Sequence, residues 1–360
     1  MKRMTKIKFS AALLILLFIF SNQSYGLEPY RYGTTTANFL EIGLGATGNS
    51  MGDAQVAYTH DLMSIYWNPA GMAFMDRSEA KFINQPYVAD IGMQFAGFGL
   101  VLPGIGTIGM GFTHLGYGDN MDVTTLERPD GTGEKYSASD NAFSLSFSRR
   151  LVQWFAFGAS AKYINSNIWH SSAHAAAVDL GAIVHTNFFA GKYREDGLKI
   201  GMSISNYGTR MKFDGMDLLE PIDISDDEHG NYSDVSGKYN LSGWELPLLF
   251  RIGISAHKHI TQYQRLTLAI DALHPNNYHE YINVGAEYKA TIPVAGDFFL
   301  RAGYKGISDK EKMDDSVFGP TFGVGIINTL APGFALKIDF AYRSYGILGN
   351  SLSYDFGILF

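Results

Sequence analysis

Ser351-Leu-Ser-Tyr-Asp-Phe-Gly-Ile-Leu-Phe360 ends the sequence and decides how the rest is read. Successive side chains of a strand point to opposite faces, so Leu352, Tyr354, Phe356, Ile358 and Phe360 share one face and small or polar residues share the other. A strand with an aromatic and aliphatic outer face, a polar inner face and a terminal Phe is how a bacterial outer-membrane barrel ends, with Phe360 as the expected assembly signal. The competing reading is the edge strand of a soluble sandwich. The two readings differ in what they require upstream.

Upstream, Phe334-Ala-Leu-Lys-Ile-Asp-Phe-Ala-Tyr-Arg343 repeats the split. Phe334, Leu336, Ile338, Phe340 and Tyr342 oppose a face carrying Lys337, Asp339 and Arg343, which suits lipid outside and a polar lumen inside. Asn283, Glu287 and Lys289 oppose Ile282, Val284 and Tyr288 in the same way, and Arg265, Thr267 and Asp271 oppose Leu266, Leu268 and Ile270. From residue 78 on, alternation and turn residues predict about fourteen such segments, near 78–88, 91–102, 105–117, 140–150, 153–166, 173–187, 197–206, 246–257, 263–273, 279–290, 297–306, 318–329, 333–345 and 351–360. Connections alternate in length: Pro103-Gly104 and Ala331-Pro-Gly333 are tight, whereas 118–139, 207–245 and 307–317 are long. Short periplasmic turns and long outer loops give that alternation if the chain starts in the periplasm. A sandwich gives no reason for it. The expected fold is therefore an all-β transmembrane barrel.

The first residues agree with export. Lys2, Arg3, Lys6 and Lys8 precede an apolar run from Phe9 to Phe20 and a polar stretch to Gly26, the pattern of a signal peptide over 1–26. The run is short of the ~20 residues that a spanning helix needs. Without cysteine, the chain is neither a lipoprotein nor disulfide-stapled. An aromatic content of 14% with 40 glycines fits belts and tight turns, and a net charge of −7 argues against a nucleic-acid partner. Outer-membrane lipid is the expected surrounding, and the cell outer membrane the expected location.

Residues 27–77 do not alternate, and a barrel of fourteen strands, here 78–360, encloses more space than its own side chains fill. A glycine-rich, partly helical segment has one place to go, so 27–77 is read as a periplasmic-side hatch within the lumen. Here a resemblance becomes specific. Ala37-Asn-Phe-Leu-Glu-Ile-Gly43, Met51-Gly52-Asp53-Ala54, and Asp61 followed by Tyr66-Trp67-Asn68-Pro69-Ala70-Gly71 resemble the N-terminal signature of the PorV/PorQ family. Asp339 to Asn350 with Ser351-Leu-Ser-Tyr354 is similar to that family's closing hairpin. Wider relatives are the FadL-like barrels, whose hatch carries an Asn-Pro-Ala motif like Asn68-Pro69-Ala70. The resemblance implies one of two roles: support of type IX protein secretion by docking cargo and translocon partners, or uptake of hydrophobic small molecules such as long-chain fatty acids through a lateral gap. Gly45-Ala-Thr-Gly-Asn-Ser50 lacks the arginine often found there in the secretion members.

The candidate residues follow from these readings. Asn68, Pro69, Ala70 and Gly71 form the hatch motif; Gly43, Gly45, Gly48 and Gly52 are read as close packing of hatch against wall. Gly43-Leu-Gly45-Ala-Thr-Gly48 spells a dinucleotide-binding pattern, but no buried strand precedes it and no βαβ unit surrounds it. No cofactor is expected. Arg251, Asp271, Glu287, Arg301, Lys337, Asp339 and Arg343 are read as inward charges forming ion pairs around the hatch, with a substrate path as the alternative. His170/His174 and His257/His259 have spacings that can serve a metal, yet no carboxylate lies near them in sequence, so no metal is expected. Loop 207–245 carries Asp214, Asp217, Glu220, Asp223, Asp226, Asp227, Glu228 and Asp234 and is read as solvated; the alternatives are a calcium or lipopolysaccharide-bridging cation site, though the spacing fits no defined loop, and a cover for the mouth or a grip for a protein partner. Ile105-Gly-Thr-Ile-Gly-Met-Gly111 is a candidate break in the wall, or else a place of tight packing. The sequence holds no catalytic elbow, zinc helix or paired carboxylates, and no enzymatic role is expected.

Overall fold

The computed structural model describes residues 31–89, 91–118, 120–190, 193, 196–224, 235–307 and 318–360. The expected signal peptide, the start of the expected hatch segment, and Asp226, Asp227, Glu228 and Asp234 lie outside them. Fourteen long strands occur among the described residues: β1 (Glu79–Pro86), β2 (Gly92–Leu102), β3 (Gly106–Gly116), β4 (Ala138–Val152), β5 (Phe155–Ile168), β6 (Ser171–Thr186), β7 (Gly197–Gly208), β8 (Leu249–Thr261), β9 (Gln264–Pro275), β10 (Tyr281–Ile292), β11 (Gly296–Ile307), β12 (Pro320–Ala331), β13 (Phe334–Ser344) and β14 (Asn350–Leu359). Each pairs antiparallel with the next, and β14 pairs back onto β1, with Leu359 opposite Glu79 and Phe356 opposite Phe82. The sheet closes into a barrel and leaves no edge.

Strand positions match the alternation closely because period-2 patterning is a direct imprint of a two-sided wall. The largest shift is β8, expected from 246 but starting at Leu249. Pro247 has no N–H for the ladder, so pairing begins beyond it. Outward positions such as Leu268, Ile270, Phe322, Val324, Phe356 and Ile358 are exposed, whereas inward Thr267, Asp271, Thr321, Ser353 and Asp355 are buried. Apolar outside and polar inside is the reverse of a soluble protein and fits lipid as the surrounding solvent.

The two ends of the barrel differ. One carries connections 103–105, 153–154, 187–196, 262–263, 293–295 and 332–333; the other carries 87–91, 117–137, 169–170, 209–248, 276–280, 308–319 and 345–349. The expected length asymmetry is present with two exceptions. The 187–196 connection is long at the short-turn end, and Trp169-His170 is a two-residue turn at the long-loop end.

The glycine-rich start of β3 is not a break. β3 pairs with β2 from Gly106 to Gly116 and with β4 from Thr107 to Gly116, without a shift of register. Its inward Gly109 instead makes room for the interior: a Cβ there would lie 2.7 Å from Met72 Sδ. The irregularity in mid-wall lies between β6 and β7, where the register shifts between Val178 and Leu180. There Asn206, at φ +65°, donates its N–H to Asp179 (2.8 Å) and accepts from Lys162 Nζ (2.7 Å), so polar side chains fill the bulge.

Residues 37–75 are largely buried within the barrel and include the short helical turns Asn38–Glu41, Ala46–Ser50, Ser64–Trp67 and Pro69–Phe74. Their direction corrects an expectation. At the long-loop end, Thr36 N–H donates to Glu245 O (3.0 Å) and Tyr32 Oη meets His279 Nδ1 (3.1 Å). At the other end, Leu62 N–H donates to Glu79 (2.9 Å) where β1 begins. The segment thus runs through the lumen from the long-loop mouth to the short-turn mouth, and the described chain does not start on the side where β1 starts.

Candidate functional site

The lumen wall has two unlike halves. Strands β8 to β14 and β1 point charges inward at backbone and side chains of the inner segment. Asp271 accepts the N–H groups of Gln55 (2.6 Å) and Val56 (2.8 Å), and Asp355 accepts that of Ala46 (2.9 Å). Glu287 accepts the Tyr58 hydroxyl (2.5 Å) and Arg301 Nε (2.8 Å), while Arg301 also holds Asp339 (2.6 Å). The segment supplies two carboxylates in return. Asp53 meets Lys305 (2.8 Å) and Arg343, and Asp61 bridges Lys81 (2.8 Å) and Lys337 (2.6 Å). Arg251 donates to Ser205 Oγ (2.9 Å) and lies over the Tyr66 and Trp67 rings of the segment.

Strands β2 to β6 meet the segment without such charges, through glycines and through apolar side chains such as Met93, Phe95, Leu115 and Ile164. A Cβ on Gly158 would overlap the Pro69 carbonyl carbon, and one on Gly181 would overlap Asn68 Oδ1, so the wall lets backbone approach backbone. The turn Pro69–Phe74 rests here, with Ala70 and Ala73 against Ala156 and Ile183. Asn68 caps it, accepting the Ala70 N–H (3.1 Å), and Pro69 takes the first helical position, where a missing N–H costs nothing. The Asn68 amide also donates to Val56 O (2.7 Å) and to Ala182 O of the wall (3.3 Å). Gly71 passes 2.6 Å, measured from its would-be Cβ, from Thr59 O.

The four predicted packing glycines divide evenly. Gly45 (φ +88°) and Gly52 (φ +61°) face the wall at Asp355 and the Tyr304 backbone. Gly43 and Gly48 instead pack within the segment, where a Cβ would run into the Asp53 carboxylate and the Trp67 ring.

All seven predicted inward charges are buried in the lumen. Sequence reading missed their counterparts Asp53, Asp61, Glu79, Lys81, Lys305 and Asp355. Glu79, Lys81 and Asp355 carry a usable signal, since each occupies an inward position of its alternating strand. Asp53 and Asp61 lie in the stretch without period and carry none.

The histidines do not gather into a metal site, and no group of three ligating side chains occurs among the described residues. His259 has a structural role: its N–H and Nδ1 meet Asp196 (2.9 and 2.7 Å), which ties connection 187–196 to β8. His174 meets Tyr163 and Asn165, and buried His257 meets Thr267 Oγ1 (3.0 Å). His170 Nδ1 pairs with Asp217 (2.9 Å), which also accepts from Ser171 Oγ (2.9 Å). Partial burial raises the Asp217 carboxyl, but the bonds from His170 and Ser171 outweigh it and hold it below its usual range.

Each mouth has a hollow. Between loops 117–137 and 209–248 at the long-loop end lies a cleft of about 460 Å³, lined by Val123, Tyr136, Ile168, Trp169, Phe213 and Leu241 among others. Trp169 lies at φ +51°, a conformation that two-residue turns usually give to Asn or Gly, and Asp217 clamps the turn from the neighbouring loop. A vestibule of about 660 Å³ opens at the short-turn end, under Asp61 and Lys337.

Comparisons with known proteins agree with this architecture. The family model described as type IX secretion system protein PorV matches residues 27–223, more than half of the chain. No match is found among curated protein sequences. Among solved structures, the chain is similar to the Pseudomonas putida toluene transporter TodX at 11% identity and a TM-score of 0.51, over 88% of this chain and 96% of that one. It is similar to a Pseudomonas aeruginosa FadL homologue at 10% identity and a TM-score of 0.51, over 88% and 98%. The Ralstonia pickettii toluene transporter TbuX gives 11% identity and a TM-score of 0.50, over 88% and 97%. At such identities the likeness is one of fold.

Proposed function

The chain belongs to the PorV family of type IX secretion system proteins, an outer-membrane β-barrel of FadL-like fold, and from that premise we propose that it supports type IX-like secretion and surface attachment as a non-enzymatic docking protein. In this reading the long loops are the working surface, exposed outside the cell, and receive cargo domains or translocon partners. Residues 27–77 are a hatch that keeps the barrel shut, with Asn68-Pro69-Ala70-Gly71 as its anchor on strands β2 to β6. The observation that supports it best is the sealed wall. β3 is unbroken, the β6–β7 bulge is filled by Asp179, Asn206 and Lys162, and the lumen is crossed by the Asp53 and Asp61 ion pairs. A barrel closed in this way does its work at its mouths.

A second reading, a channel for hydrophobic small molecules such as long-chain fatty acids, has the fold likeness to toluene transporters and the apolar cleft beside Trp169 in its favour. It needs the hatch to shift. Affinity capture of the tagged protein from gently solubilised outer membrane, with proteomics and lipid analysis of one eluate, separates the two. A very large barrel together with exported proteins sharing a C-terminal domain is the expected result. A stoichiometric fatty acid or other apolar compound without protein partners would replace docking by uptake.

A further inference from the structure

The rim of the short-turn end is not uniform. Several of its cations have carboxylate partners: Lys289 holds Asp297 at 2.7 Å, Lys337 holds Asp61, and His259 meets Asp196. At the end of β4, two consecutive arginines have none among the described residues. Arg149 makes one long hydrogen bond, from Nη2 to Gly104 O at 3.4 Å, and Arg150 lies over the Phe74 ring at 5.4 Å, with Lys199 Nζ 5.1 Å from the same ring. Successive side chains of a strand face opposite sides, so Arg149 continues the lipid-facing row of Phe143, Leu145 and Phe147, and Arg150 continues the lumen row of Ser146 and Ser148. The register shift between Arg150 and Val152, where β4 leaves the wall, brings the two to one place.

That place is a cleft of about 220 Å³ between the β2–β3 turn, the end of the inner segment and β4. Val101, Thr107 and Met75 line it from the lumen side, and Leu102 and Ile105 from the turn, so it straddles the rim. No carboxylate lines it among the described residues; Asp76 lines the vestibule beyond Met75 instead. Two guanidiniums over an apolar floor are complementary to an anion that carries hydrocarbon, and the planar fork of each matches a phosphate. Height along the barrel narrows the choice. Exposed Phe147 and Leu151 flank Arg149 on its row and exposed Trp154 follows in the next turn, the kind of girdle that sits at head-group level in a bilayer. The cleft is smaller than the ~300–1,000 Å³ of sites that enclose a whole small molecule, so it suits a head group whose tail lies elsewhere.

We propose that this cleft holds the phosphate head group of a glycerophospholipid from the adjoining leaflet, with the phosphate on the Arg149 and Arg150 guanidiniums and the acyl chains against Phe147 and Leu145. The site needs the barrel to sit in a bilayer and does not depend on the docking reading.

The test is native mass spectrometry of the full barrel released from non-ionic micelles. It is titrated with dihexanoyl phosphatidylglycerol, with dihexanoylglycerol, which lacks the phosphate, and with glycerol phosphate, which lacks the chains. One saturable phosphatidylglycerol per barrel, bound tenfold or more tighter than either fragment, is expected. Arg149→Gln combined with Arg150→Gln weakens it tenfold or more, whereas Lys258→Gln, at an exposed lipid-facing position of β8 near the same end, changes it less than twofold. If the double variant does not fold, as read from heat-shifted gel mobility, the comparison with dihexanoylglycerol on the unaltered chain still decides. Dihexanoylglycerol binding as tightly as the phospholipid, an equal loss from Lys258→Gln, or a folded double variant that binds unchanged would each overturn the proposal. So would glycerol phosphate binding as tightly as the lipid, which would make the ligand a free phosphate compound, or displacement of the lipid by an equimolar glutamate-rich peptide, which would make the cleft a protein contact.

Discussion

Charges grip the inner segment on one half of the lumen wall only, whereas glycines admit it on both: Gly285, Gly303 and Gly323 come as close to Met51 and Ser50 as Gly158 and Gly181 do to Pro69 and Asn68. On β8 to β14 and β1 the contacts are directional: carboxylates on backbone N–H groups, and lysines and arginines on Asp53 and Asp61. On β2 to β6 they are steric and apolar, with Gly158 and Gly181 admitting Pro69 and Asn68 at distances no side chain allows and Met93 and Phe95 packed among the segment's apolar side chains. The difference shows that a segment without a repeating pattern can be fixed from two sides by different physics.

Removing the bridge on the charged half has the largest expected effect. Asp61→Ala leaves Lys81 and Lys337 buried without their shared carboxylate, and breaking a buried pair on one side costs about 3–5 kcal/mol. Urea unfolding in micelles, followed by gel mobility, should show the loss. A change under about 1 kcal/mol, the value of an exposed pair, would mean that the lysines are served by Glu79 alone. On the other half, Gly158→Val drives a side chain into Pro69 and costs about 1–3 kcal/mol by overpacking. Equal losses for a charge-conserving Asp61→Glu and for Gly158→Val would erase the distinction between the halves.

Smaller changes sharpen it. Asn68→Ala removes the cap of Pro69–Phe74, worth about 1 kcal/mol, and frees the amide contact to Ala182 O. The expected mark is faster proteolysis within 60–77 with the barrel strands intact. The mildest effect lies outside the lumen, at the Trp169 turn. Asp217 has a depressed pKa in the folded state, so its contribution is present above its unfolded pKa of about 3.9 and fades as pH falls through the lower folded value. Trp169 fluorescence should then be constant from about pH 8 to 5 as far as Asp217 governs it, and change only in stronger acid. An Asp217→Asn variant that matches the unaltered chain at every pH would remove Asp217 from the clamp.

The wall was legible in the sequence because each strand carries its own evidence. Lys337 and Asp339 lie two apart opposite Ile338 and Phe340, and that local alternation states both element and face. The inner segment was legible in composition but not in course. Its partners Glu245 and Asn277 lie far along the chain, and nothing in the Thr34 to Glu41 stretch says which mouth it enters. The connections 169–170 and 187–196 depart from the length asymmetry through partners distant in sequence: Asp217 of loop 209–248 reaches His170, and Asp196 within the second connection meets His259 of β8. The stretch from Ile105 to Gly111 left both of its readings open, because glycine in a strand signals close approach as readily as a break. Only the interior side chains of Met72 and Ile65, packed at Gly109, decide which it is.

The central claim is that a sealed barrel holds a segment running from the long-loop mouth to the short-turn mouth, which the proposed reading places outside the cell and in the periplasm. The chain has no cysteine, so single-site labelling is clean. Tyr32→Cys and Asp76→Cys, both at exposed positions near opposite mouths, would be tested with a membrane-impermeant maleimide on intact cells. The account predicts labelling at 32 on intact cells and at 76 only after the outer membrane is permeabilised. Labelling at 76 from outside, with 32 protected, would contradict it.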